Sequence, residues 1–174
     1  MRKTKKITLS AMIVALSVAL MTLGGFVEVL DLSAAALASV LVAFVYIEIG
    51  SPYTWLVWLC TSLASFLIFP GSMLWIEYFL IFGVYPILKA YIERLPRGVW
   101  LPVKLVYINC VLIAVIFAFR FVFKTSIFIV DKTWIKVFIY ALMNVAFVAY
   151  DIFITVLVRL YLEKFRHRFK HLLK

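Results

Sequence analysis

Six apolar runs follow one another through 174 residues, with only short polar breaks between them. Each is close to the roughly 20 residues that a helix needs to cross a hydrocarbon layer. They cover residues 7–26, 32–49, 53–69, 72–92, 101–123 and 133–160. A chain with this pattern has little choice of fold, because a backbone inside lipid must satisfy its own hydrogen bonds and an isolated helix does so. The expectation is an all-α membrane protein, a compact bundle of six transmembrane helices forming one domain over 1–174, with a basic helical tail over 161–174.

Composition supports the same class: 67% of residues are hydrophobic, more apolar surface than a water-soluble domain of this length can hide. The net charge of +10 would suggest nucleic acid in a soluble protein, but the cations gather at the ends of the apolar runs, so no nucleic-acid partner is expected. If the amino terminus is cytoplasmic, 14 of the 18 Lys and Arg fall on the cytoplasmic side. Arg120, Lys124, Lys132 and Lys136 face out. The positive-inside rule therefore predicts both termini in the cytoplasm of a multi-pass protein of the cell membrane. The first run lacks a small-residue cleavage site after it and is expected to be retained. The tail from Leu162 alternates bases with Phe165, Phe169 and Leu172, a pattern suited to anionic lipid.

Turn signals sit at Gly50 to Pro52 and at Pro70 and Gly71, and ERLPRGVWLP over 93–102 reads as a cytoplasmic connector dividing the runs into four plus two. Pro86, behind Gly83, should bend the fourth helix. Within the first run, LSAMIVALSVAL places Ala11, Ala15 and Ala19 four apart. Small side chains on one helical face let another helix come close. The partner is either the run SAAALAS over 33–39 in the second helix or a helix of another chain.

Ionisable and amide side chains inside lipid ask for partners or a function. Glu77 and Arg120 count to a similar depth near the outer surface, where they would pair or flank an outward cavity; the bland reading is a helix-end carboxylate and a snorkelling arginine. Folding the last two helices as a hairpin brings Asn109 level with Asn144 and Lys104 level with Asp151, with Tyr140 and Tyr150 adding hydroxyls. Glu28 and Asp31 lie in a short outer loop, and Trp75 and Tyr78 border the Pro70–Gly71 turn; they read as a solvated loop and an aromatic belt, or as a lid over a pocket. Neither a phosphate-binding glycine loop nor a catalytic triad or H-E-x-x-H motif occurs, so an enzyme is not expected. Cys60 and Cys110 stand alone, and His167 and His171 sit among bases, so no metal or cofactor is expected.

The short six-span plan, basic amino terminus and A-x-x-x-A-x-x-x-A first helix resemble the substrate-binding S components of energy-coupling factor (ECF) transporters. That resemblance implies capture of a vitamin-like small molecule or other micronutrient in an outer-half pocket. It implies docking of Ala11, Ala15 and Ala19 on a transmembrane T component served by two ATPases. The pocket would map onto Glu28, Asp31, Trp75, Glu77, Tyr78, Arg120 and Tyr140, with Asn144 beside them. The alternative is a non-transporting scaffold of the same shape, similar to the rod-shape protein MreD.

Overall fold

Long stretches of Leu, Ile, Val, Ala and Phe without charge favour continuous helix, and the breaks fall where glycine or proline interrupts the hydrogen-bond ladder. The computed structural model describes residues 3–27, 30–118, 120–121 and 132–165. Its elements are α1 (Lys3–Phe26), α2 (Asp31–Glu48), α3 (Ser51–Ile68), α4 (Leu74–Glu77) running into a π-helical turn (Tyr78–Phe82), α5 (Tyr85–Ile92), α6 (Arg97–Ala118) and α7 (Thr133–Leu160), which ends in a second π-helical turn (Tyr161–Phe165). No strand occurs among the described residues. Among the described residues, six helical stretches are long and apolar enough to cross a membrane.

Two boundaries differ from expectation. The connector over 93–102 is helical from Arg97, because Pro96 suits the entry to a helix and Pro102, lacking an N–H, removes only one ladder bond near the start of α6. The fourth run, Leu74–Ile92, stays one helical stretch but is interrupted by a π-helical turn ahead of Pro86. Gly83 N donates to the Tyr78 carbonyl over five residues at 2.7 Å, the chain turns at Gly83 and Val84, and α5 restarts with Pro86 at its second position. Trp58 on α3 fits this irregular stretch: its indole N–H donates to the Phe79 carbonyl at 3.2 Å, and its ring stacks on Phe79 at 4.8 Å. A β-carbon on Gly83 would lie 2.5 Å from the Trp58 ring, so only glycine admits this approach.

The chain divides into two compact units, Met1–Ala90 with Ile154–Lys174, and Tyr91–Phe153. In the first, α1, α2 and α3 pack through small and hydroxylated side chains. α1 turns Ser10, Ile13, Ser17, Met21 and Gly24 inward; α2 turns in Ala34, Ala35, Ala38, Ser39 and Val42; α3 turns in Thr54, Val57, Thr61, Ser62 and Ser65. α1 and α2 come close at Gly24, where a β-carbon would lie 2.6 Å from that of Ala34. Large apolar side chains such as Met12, Leu16, Leu23, Leu56, Leu63 and Leu67 are exposed. This distribution inverts that of a soluble helix bundle and suits a hydrocarbon solvent, in which close backbone approach rather than apolar burial drives helices together. Leu74, Tyr78 and Ile87 complete the core of this unit.

In the second unit α6 faces the first part of α7. Ile108, Leu112 and Val115 of α6 and Phe147 and Tyr150 of α7 are buried apolar residues of this unit, with Ile92 at the end of α5. The polar groups of the two helices meet in the same unit.

Candidate functional site

The first unit carries an open cleft of about 710 Å³ at the ends of α1 and α3 and the starts of α2 and α4. Asp31, the first residue of α2, and Glu77, in the first turn of α4, both line it, together with Gly25, Phe69, Ser72 and Met73. The polypeptide makes this hollow because the F-P-G-S turn at 69–72 holds the backbone open between two helices. Phe69 lies flat against Gly25, 3.2 Å from where a β-carbon would stand, and meets Phe26 edge to face at 5.6 Å. Asp31 is stabilised by its place at a helix start, where free backbone N–H groups attract negative charge. Two carboxylates on one concave, partly apolar surface can accept hydrogen bonds from a cationic or donor-rich small molecule.

Trp75 stands at the Pro70–Gly71 turn as expected, but neither it nor Tyr78 lines this cleft. Trp75 donates to the Pro70 carbonyl at 3.3 Å, packs on Phe66 at 4.8 Å and lines a separate, wholly apolar hollow with Leu59, Ser62 and Phe79. Tyr78 is wholly buried in the core of the unit, as is Thr61, and neither hydroxyl has a hydrogen-bond partner among the described residues. The side-chain period explains both: Glu77 and Tyr78 are adjacent on a helical turn and point about 100° apart, so one cannot face the cleft with the other. Glu28 lies outside the described residues, as do residues 166–174 of the basic tail with His167 and His171.

The remaining expected contacts fall in the second unit. Tyr140 donates a hydrogen bond to Asn109 Oδ1, and Asn109 Nδ2 donates to Asn144 Oδ1 at 3.2 Å and to the Leu105 carbonyl at 2.7 Å. Asn144 Nδ2 returns to the Tyr140 carbonyl at 3.0 Å. Each amide therefore fills donor and acceptor positions, as a polar group away from water must. Lys104, 8% exposed, sits between two carboxylates: Asp151 at 2.9 and 3.0 Å and Glu93 at 3.2 Å. The pairing of Lys104 with Asp151 and the meeting of Asn109 with Asn144 are those the hairpin count gave. Arg120 is exposed beyond the end of α6.

Ala11, Ala15 and Ala19 are exposed, on a face of α1 different from the one that packs inside the unit. The run 33–39 meets α1 at Gly24, beside Ala34, while Ala11, Ala15 and Ala19 stay exposed, so the intrachain partner considered for the alanines is not the observed one.

Three features escaped the sequence reading. Lys89, 5% exposed, donates to Thr155 Oγ1 at 2.6 Å and lies over the Tyr85 ring. The cation count takes Lys89 only as a charge on the cytoplasmic side, while its place in the apolar stretch YPILKAY asks for a buried partner such as Thr155. Glu93 was not recognised as a partner of Lys104, though eleven residues and a proline turn separate them. The residues lining the acidic cleft besides the carboxylates carry no signal except the turn at Pro70 and Gly71. Comparisons with protein-family models, curated proteins and solved structures gave no match to this chain.

Proposed function

We propose that this chain is the substrate-binding membrane subunit of an ECF-type importer. It lies in the cell membrane with both termini in the cytoplasm, captures a vitamin-like micronutrient on the outer side, and docks through α1 on a T component that is coupled to two ATPases. The observation that carries the reading is the exposed alanine face of α1. Interior packing of this helix is already satisfied by Ser10, Ile13, Ser17, Met21 and Gly24, so Ala11, Ala15 and Ala19 are left as a second small-residue face. In a helix destined only for lipid contact, larger side chains would serve as well. The open cleft bearing Asp31 and Glu77 supports the reading from the other end of α1, since the cation count puts it on the outer side. Its carboxylates favour a substrate carrying a cation or several donors.

The test is co-expression with a T component and its ATPases. Ala15→Trp is expected to abolish co-purification while leaving the thermal unfolding of the isolated chain within 2–3 °C of wild type, about 1 kcal/mol on a protein of this size. An intact complex with the tryptophan variant would overturn the docking face. Capture is tested separately, by thermal shift across a panel of vitamins and nucleobases. A ligand that stabilises wild type should lose its effect with Asp31→Asn or Glu77→Gln, and a panel without any stabilising compound would argue for the scaffold.

A further inference from the structure

Beside the Lys104 cluster, the second unit holds a cleft of about 290 Å³ between α6 and α7 that the importer reading does not use. Its two ends differ in chemistry. At one end stand Arg97, Trp100 and the Lys104–Asp151 pair; at the other the walls are Leu105 and Phe147. From Arg97 to Leu105 the cleft follows one face of α6 for about 12 Å, at 1.5 Å per residue.

The charges at the polar end are not equivalent. Lys104 is committed to Asp151 and Glu93 at 2.9 to 3.2 Å. Arg97 is exposed, lines the same cleft and makes no hydrogen bond or ion pair with a described residue. A guanidinium held at the mouth of a cleft presents a planar fork that fits two oxygens of a phosphate. Trp100 is anchored by its indole N–H to the Leu95 carbonyl at 2.6 Å, which sets an amphipathic ring at the same level. Tryptophan at that position is characteristic of the boundary between headgroups and acyl chains. A soluble anion would meet Arg97 but leave the Leu105 and Phe147 walls without a partner. A volume near 290 Å³ holds about ten water-sized groups, enough for one stretch of acyl chain and too little for a helix.

We infer that this cleft binds one anionic glycerophospholipid, its phosphate on Arg97 and the first part of an acyl chain along Leu105 and Phe147. The end of the unit that carries Arg94, Arg97 and Lys104 is the side on which the cation count places the cytoplasm, and anionic lipids are attracted to such basic clefts between membrane helices. The inference rests on α6 and α7 crossing a bilayer and not on transport, so its failure would leave the alanine-face experiment untouched.

The full chain is purified in detergent, mixed with equal phosphatidylglycerol and phosphatidylcholine of matched acyl chains, and bound lipid is counted by native mass spectrometry. Wild type should retain one phosphatidylglycerol in preference to phosphatidylcholine. Arg97→Gln should reduce that occupancy about tenfold, the scale of losing one charge-assisted bidentate contact. Leu105→Trp, which fills the apolar half and keeps the arginine, should reduce it as well. Equal retention of the two lipids, or full retention by Arg97→Gln, would overturn the site. Full retention by Leu105→Trp would also overturn it, because Arg97 would then be drawing lipid from the general interface. Displacement of the lipid by inorganic phosphate at comparable concentration would show a soluble-anion site and overturn the lipid. If Leu105→Trp unfolds, Leu105→Phe takes its place, with a smaller loss expected by the same reasoning.

Discussion

Replacing Lys104 by methionine keeps the length of the side chain and removes a cation that Asp151 and Glu93 share. The lysine is 8% exposed and its ammonium lies 2.9 and 3.0 Å from the two Asp151 oxygens and 3.2 Å from Glu93. In a dry protein interior, breaking such a pair from one side costs ~3–5 kcal/mol, because the other charge stays buried without its counter-ion. Two facts lower that figure here. The Asp151 side chain keeps 19% of its surface exposed, so water can reach it, and polar contacts between membrane helices have been worth only ~0.6 kcal/mol on average and at most ~1.7. The charge is full rather than partial, which places Lys104→Met between the two limits, at ~2–3 kcal/mol. The double variant Lys104→Met, Asp151→Leu removes both charges and fills the space with hydrocarbon, and should return to within ~1 kcal/mol of wild type. Unfolding in mixed micelles by increasing dodecyl sulfate, followed by tryptophan fluorescence, measures all three species and Asp151→Leu alone. A cost below ~0.5 kcal/mol for Lys104→Met, or costs that simply add in the double variant, would refute the idea that the three groups act as a unit.

Three further outcomes follow from the packing. Gly24→Leu should lower the thermal midpoint by more than 5 °C, since even a β-carbon there stands 2.6 Å from that of Ala34 and overpacking costs ~1–3 kcal/mol; an unchanged midpoint would mean that α1 and α2 can slide apart freely. Asn109→Leu should cost ~1 kcal/mol in the same micelle titration, because Asn144 keeps its bond to the Tyr140 carbonyl while the Tyr140 hydroxyl loses its acceptor; a loss above ~3 kcal/mol would point to a larger network than the three residues. Trp58→Phe preserves the ring stack on Phe79 and deletes only the donor to its carbonyl, so hydrogen exchange should rise at amides 79–84 and nowhere else; exchange unchanged there would show that the π-helical turn does not depend on the indole.

The hairpin partners were legible because α6 and α7 are regular and their connection is short enough to count across, so that Lys104 met Asp151 and Asn109 met Asn144 as the numbering required. The acidic cleft was half legible: Asp31 and Glu77 could be singled out as charges near an outer boundary, but Trp75 and Tyr78, which flank them in sequence, rotate away to an apolar hollow and to the core. Local breaks were harder. Pro86 announced a disturbance, yet nothing in its neighbourhood revealed that Trp58, more than twenty residues earlier, would hold a five-residue π-helical turn beside it.

Length and hydropathy by themselves determined that the described residues hold six helical stretches long and apolar enough to cross a membrane, because the intrahelical ladder is the one way a lone apolar segment can satisfy its backbone. They could not determine which face of each helix turns inward. Where the surroundings are as apolar as the interior, hydrophobic periodicity carries no information about direction, and the face is chosen by how closely two backbones can approach. Only the tertiary structure decided that Ser10, Ser17 and Gly24 meet α2 and α3 while Ala11, Ala15 and Ala19 look away.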